Sequence, residues 1–277
     1  MDTYHKNNLA CSRITTQNYS TSFSLGVRML NKKYRPAIYS IYGFVRYADE
    51  IVDTFFEQDQ ETIFEEFKKE TFIAIKRGFS INPILDSFQR AVRTYHIERE
   101  LIDAFLYSME LDLHKTTYDP IMLKTYIYGS AEAVGLMCLR VFYADEPEKY
   151  DQLVNPARKL GAAFQKVNFL RDAQDDFKNK GRIYFENIDF NQFDEDTKAQ
   201  IEREIERDFA EAFQGLKALK KEVRFGVYLA YIYYIRLFRK IKRANPSQIL
   251  KTRYRVSNPK KMYLLANAYF KNTFNLL

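Results

Sequence analysis

The chain has 277 residues, with 43 Lys and Arg against 36 Asp and Glu for a net charge of +7. Nine glycines and seven prolines are too few for an all-β or a disordered protein, while 21 tyrosines and 23 phenylalanines supply ample bulky surface for a core or a cavity wall. The longest apolar run, Phe225 to Ile235, falls short of the roughly 20 residues needed to cross a bilayer.

In chain order, apolar residues recur at helical rather than alternating spacing. Pro36 is placed to open a helix reaching Phe56, because a first-turn proline lacks only an N–H that would have no partner. Asn82-Pro83 and Asp119-Pro120 each read as an N-cap followed by proline at the first helical position. Pro147 and Pro156 punctuate the stretch before a helix carrying Ala162 to Phe177, and Asn179-Lys180-Gly181 ends that helix with glycine as a left-handed cap. Further helices are expected at about 59–78, 98–114, 194–222, 223–244 and 259–272. No linker, repeat or low-complexity tract divides the chain, so one all-α domain over residues 1–277 is expected, large enough to enclose a pocket. Met1 to Asn8 lacks a signal-peptide core, and Cys11 and Cys138 make neither a metal motif nor a disulfide framework. A reducing cytoplasm fits best. His5, His96 and His114 show no mutual spacing that suggests a site.

The charge is unevenly distributed. The 55 residues after Glu222 carry 12 Lys and Arg and no acid, whereas the first 222 hold 31 basic and 36 acidic residues, a net of −5. A basic end on an acidic body suggests an anionic partner or a solvated surface, and composition does not choose between them.

Two carboxylate pairs stand at helical spacing. Asp49 and Asp53 share one helix face, and so do Asp172 and Asp176, with Asn168 one turn upstream. Like charges four residues apart cost an isolated helix roughly 0.2–0.5 kcal/mol, so each pair is mildly unfavourable without a cation. Both lie in apolar stretches, the first among Val45, Ala48, Ile51 and Val52, the second among Phe164, Val167, Phe169 and Leu170. Hard divalent cations such as Mg²⁺ take oxygen ligands, commonly one or two carboxylates plus substrate phosphates. Two such faces across a pocket would hold Mg²⁺ against a diphosphate, with Arg46 and Arg171 suited to phosphate oxygens. That role is preferred for Arg46 over an ion pair with Glu50. A nucleic-acid binder would spread its basic residues over a recognition surface and has no use for paired carboxylates in apolar stretches.

Four ordered segments carry a resemblance. They are Ser20-Thr21-Ser22-Phe23-Ser24, Tyr42 through Asp53, Tyr126 through Met137, and Leu160 through Asp172 continuing past Asp176 to Gly181-Arg182-Ile183-Tyr184. Together they resemble the squalene/phytoene synthase family, the head-to-head trans-isoprenyl diphosphate synthases, and most of all its bacterial phytoene synthases. The resemblance implies an isoprenoid synthase fold around a central cavity that takes two prenyl diphosphates with Mg²⁺, or Mn²⁺ in its place. It implies that Asp49, Asp53, Asn168, Asp172 and Asp176 are the metal-associated residues, and that Ser20, Ser22, Tyr42, Arg46, Gln165, Arg171 and Tyr234 contact substrate. The favoured substrate is geranylgeranyl diphosphate, joined without NADPH, and the alternative is a farnesyl-specific member making dehydrosqualene or squalene. An interaction protein of the same fold, without catalysis, is a remote alternative that the intact aspartates disfavour. Phe23, Phe44, Tyr42, Tyr126 and Tyr128 are candidate wall residues, each able to offer a π-face to a carbocation, with core packing the alternative for any one of them. Glu132 departs from the family pattern, where a small residue is usual, and is expected to reach a metal or to face away. The basic C-terminal stretch, with Arg253, Arg255, Lys260 and Lys261, is expected to close over a diphosphate or to touch anionic lipid at the inner face of a membrane.

Overall fold

A computed structural model describes residues 2–114, 117–180, 182, 184 and 193–273. Among these the chain is all helical, without a strand. The helices are α1 (Thr3–Tyr19), α2 (Thr21–Met29), α3 (Arg35–Thr54), α4 (Gln60–Arg77), α5 (Pro83–Tyr95), α6 (Arg99–His114) and α7 (Pro120–Ile127). A π-helical turn (Tyr128–Ala133) then leads to α8 (Val134–Tyr143), α9 (Pro147–Lys180), α10 (Glu195–Ala218), α11 (Lys221–Lys242), the short α12 (Pro246–Ile249) and α13 (Asn258–Thr273).

The expected boundaries follow local chemistry. Asn82 caps α5 by accepting from the Ile84 and Leu85 amides, and Asp119 caps α7 by accepting from those of Ile121 and Met122. Helix α4 stops at Gly78, whose φ of 75° lies in the left-handed region glycine tolerates. Helices α10 and α11 divide at Leu219-Lys220.

One expectation is overturned. Pro147 begins α9, but Pro156 lies inside that helix and does not interrupt it. A proline there forfeits one backbone hydrogen bond, and its ring is accommodated by α10: a Cβ added to Gly215 would lie 2.1 Å from the Pro156 Cβ. The proposed cap at Gly181 lies outside the described residues.

The core forms where apolar helix faces converge. Phe44 is fully buried and stacks on Phe88 with ring centroids 3.8 Å apart, beside Phe67 and Phe105. Phe44 is therefore core, not cavity wall. The π turn is clamped on both sides by helices that approach its backbone. A Cβ on Gly129 would stand 2.2 Å from the Ala104 carbonyl oxygen of α6, and one on Gly161 of α9 would stand 2.6 Å from that of Ala131. Only glycine permits either approach.

Candidate active site

Two cavities meet inside this bundle and share part of a wall. The first, of about 310 Å³, runs between α2, α3, α8, α9, α10 and α11 and is lined almost wholly by carbon, including Val27, Leu30, Ile41, Leu139, Leu160 and Leu216. The second, of about 520 Å³, lies between the two acidic helix faces. Phe23, Tyr42, Phe164, Gln165, Ala230 and Tyr234 line both. At this junction Phe23 stacks on Tyr42 with centroids 4.7 Å apart, and Phe164 on Tyr234 at 3.9 Å.

The metal-associated and substrate-contacting residues that the resemblance implies all line the polar cavity: Ser20, Ser22, Tyr42, Arg46, Asp49, Asp53, Gln165, Asn168, Arg171, Asp172, Asp176 and Tyr234. Helix α3 carries the first acidic face and α9 the second, each because aspartates four residues apart repeat on one side. Ser20 also caps α2, accepting from the Phe23 amide at 3.2 Å. The Tyr234 hydroxyl donates to Asn168 Oδ1 at 3.2 Å, joining α11 to the second face. Burial pushes the Tyr42 phenol up to about 12, so it presents a protonated hydroxyl at neutral pH.

Both arginines line the cavity and are ion-paired. Arg46 lines the cavity but is engaged within its own helix: one guanidinium nitrogen donates to Asp49 and the other to Glu50 at 2.9 Å. The Glu50 ion pair set aside on the sequence is present, because a one-turn spacing places the two side chains in reach. Arg171 pairs with the adjacent Asp172. Burial would lower its guanidinium, but the neighbouring carboxylate outweighs this and keeps it firmly charged.

Other wall residues are relocated too. Tyr126 lines the polar cavity, but Tyr128 lines neither cavity and lies under the Arg158 guanidinium, 5.3 Å from its ring centroid. Glu132 faces away from both cavities and accepts from Arg158 Nε at 2.6 Å. The π turn accounts for this, since one extra residue per turn rotates the following side chains relative to an α-helix.

Arg253 belongs to the basic stretch expected to close over a diphosphate, while spacing assigns no role to Asp112, Arg182 or Tyr184. Arg253 reaches in from the basic segment before α13, its Nε 2.7 Å from Asp172 Oδ1. Asp112 and Tyr184 line the polar cavity, and Arg182 donates to Asp53 at 2.6 Å. Their signal was slight. Arg182 and Tyr184 stand inside a quoted motif, while Asp112 is a single aspartate in a helix with other acids.

The donor set suits a hard divalent cation: carboxylate and amide oxygens on two helices, with no sulfur or imidazole lining the cavity among the described residues. Among the described residues no group of three or more Asp, Glu, His or Cys side chains is placed to hold a metal ion by itself. That agrees with a cation completing its shell on substrate phosphates.

Residues 16–260 match the family model for squalene/phytoene synthase. The chain belongs to that family. It is 27% identical to the 4,4'-diapophytoene synthase of Staphylococcus haemolyticus, over 96% of this chain and 98% of that one. It is also 27% identical to a phytoene synthase of Arthrospira platensis, over 94% and 92% of the two chains. The crystal structure of a dehydrosqualene synthase in complex with ligand shares the fold with a TM-score of 0.79, covering 96% of this chain and 98% of that one at 22% identity. Membership places the protein among the head-to-head isoprenoid synthases, prenyltransferase enzymes acting on prenyl diphosphates.

Proposed function

We propose that the enzyme couples two geranylgeranyl diphosphates head-to-head through a cyclopropylcarbinyl diphosphate to give phytoene, with Mg²⁺ and without a reductant. The observation that carries this reading is the shared wall: a chamber of acids and arginines opens at Tyr42, Phe164, Gln165 and Tyr234 onto a chamber of hydrocarbon. A prenyl diphosphate has the same two-part character.

Asp49, Asp53, Asn168, Asp172 and Asp176 would hold the metal. When bound, Mg²⁺ neutralises diphosphate charge and so makes it a competent leaving group. Arg253, half exposed at the mouth, is placed to transfer its ion pair from Asp172 to an arriving phosphate oxygen. Loss of diphosphate from the donor leaves an allylic cation that alkylates the acceptor's double bond, and loss of a proton closes the cyclopropylcarbinyl diphosphate. Loss of its diphosphate, rearrangement and loss of a second proton then give the joined hydrocarbon. The Tyr42 and Phe164 rings at the junction present π-faces to that charge, and the aliphatic chamber excludes water that would quench it.

A thirty-carbon product from farnesyl diphosphate is the second reading, favoured by full-length similarity to a diapophytoene synthase. Purified enzyme given each substrate separately with Mg²⁺, with and without NADPH, decides between them by mass spectrometry of the organic extract. A forty-carbon hydrocarbon made without NADPH is expected. A thirty-carbon product from farnesyl diphosphate alone would overturn the chain-length assignment, and no product from either would overturn the activity.

Among the described residues no helix is long and apolar enough to cross a membrane. Helix α13 exposes Met262, Tyr263, Tyr269 and Phe270 within the segment that has no acids. Basic and apolar side chains on one surface helix suit peripheral contact with an anionic bilayer, where a hydrocarbon product would be delivered. Flotation with anionic vesicles at low salt is expected to carry the protein upward; its absence would overturn this contact.

A further inference from the structure

The polar cavity contains a buried charge arrangement beyond the two acidic faces. Asp112, at the end of α6, is 7% exposed. Its Oδ1 accepts from the Tyr118 hydroxyl at 2.6 Å and the Tyr184 hydroxyl at 3.2 Å, and its Oδ2 accepts from Tyr126 at 2.7 Å. Arg182, 5% exposed, donates from Nη1 to Asp53 Oδ1 at 2.6 Å, and the same nitrogen lies 3.6 Å from Asp112 Oδ2. Its Nη2 donates to the backbone carbonyls of Val52 at 3.1 Å and Asp112 at 2.9 Å. One guanidinium thus stands between two carboxylates and ties α3 to α6.

Alone beside Asp53, Arg182 would oppose any cation at that carboxylate, because like charges repel strongly where water is scarce. A carboxylate against the same guanidinium removes that opposition. Three hydroxyls directed at Asp112 describe its ionised form, since a carboxylate accepts only, whereas a carboxylic acid would need an acceptor for its proton. Burial holds the Tyr126 and Tyr184 phenols well above their ordinary range, so they remain donors. Burial outweighs Arg182, Tyr118 and Tyr126 and holds the Asp112 carboxyl above its ordinary range. The guanidinium and the three converging hydroxyls are the geometry that favours its ionised form.

We propose that Asp112 is a positioning residue, balancing the charge of Arg182 so that Arg182 fixes Asp53 without repelling a divalent cation brought there with diphosphate. The inference rests on the proposed role of Asp53.

The test is Mn²⁺ binding by the intact chain in the presence of inorganic diphosphate, read from the electron paramagnetic resonance of free Mn²⁺. Circular dichroism confirms that each variant is folded. Asp112→Asn, which leaves Arg182 uncompensated, is expected to weaken binding about tenfold. The double variant Asp112→Asn/Arg182→Gln restores the net charge and should return to within about threefold of wild type. Tyr118→Phe keeps both charges and should stay within about twofold. Wild-type affinity in folded Asp112→Asn, or a double variant weaker than the single, would overturn the proposal; a purely structural role predicts the latter. Should Asp112→Asn not fold, Arg182→Gln is compared with the double variant. With the charge it balances already gone, adding Asp112→Asn to that background should change Mn²⁺ affinity by less than about threefold. An approximately tenfold loss there would overturn the proposal by showing that Asp112 acts without Arg182. A wild-type protein that binds no Mn²⁺ would be a separate result, overturning the metal assignment of Asp53 and this inference with it.

Discussion

The two cavities are built on opposite principles although they share a wall. Among the described residues, no charged side chain lines the apolar chamber, and helices approach there at glycine, as where Gly161 of α9 meets the Ala131 carbonyl. The polar chamber gathers Asp49, Asp53, Asp112, Asp172, Asp175 and Asp176 with Arg46, Arg171 and Arg253. Its charges are offset locally: Arg46 by Asp49 and Glu50, Arg171 by Asp172, and Arg253 again by Asp172. One chamber is held open by packing and the other by ion pairs that a ligand can exchange. Changes in the polar chamber should therefore alter chemistry at nearly constant stability, and changes in the apolar chamber should do the reverse.

The largest effect tests the polar half. Asp53→Asn or Asp172→Asn should abolish turnover, as the loss of several kcal/mol of charge stabilisation would, while helical circular dichroism stays near wild type. Full activity in either variant would break the comparison along with the metal assignment. A smaller effect tests the apolar half. Gly161→Ala places a Cβ 2.6 Å from a backbone oxygen that cannot swing aside. It should cost about 1–3 kcal/mol in urea unfolding while the folded fraction retains turnover. Unchanged stability would show that packing at this crossing is looser than its distances indicate. The smallest effect concerns Cys138, which lines the apolar chamber and whose thiol burial pushes up to about 12. In native protein the Cys138 peptide should resist thiol alkylation at pH 8, read by mass spectrometry, and react once the chain is unfolded. Because the native thiol keeps its proton where the unfolded one has lost it, this group's contribution to stability is complete below the ordinary cysteine range. That contribution is lost as pH rises toward 12. A Cys138→Ala variant should show a shallower alkaline decline, the remainder coming from buried tyrosines such as Tyr42, Tyr150 and Tyr233.

Much of this was legible because it is written at short range. Asn82 and Asp119 announce helix starts through one or two local hydrogen bonds, and aspartates one turn apart announce a shared face. The resemblance then assigned twelve residues, all of which line one cavity. What stayed hidden depends on distant neighbours. Pro156 remains in its helix because of Gly215 in another. Phe44 and Tyr128 look like wall aromatics until Phe88 and Arg158 are seen to occupy them. Asp112 resembles any other helical acid until three tyrosines converge on it. Arg46 was the exception: its partner Glu50 lay one turn away, and the phosphate role was preferred over the nearer contact.

Helix α9 contributes to both chambers, with Leu153, Ala157 and Leu160 along the hydrocarbon side and Asn168, Asp172 and Asp176 on the charged side. From Leu153 to Asp172 it rises ~28 Å at roughly 1.5 Å per residue. A molecule held by its head at one end and its tail at the other is thereby measured against a single rod. The acids and the hydrocarbon-side residues of that span belong to one helix. Side chains facing the tail recur only at each turn, which makes the scale a graduated one.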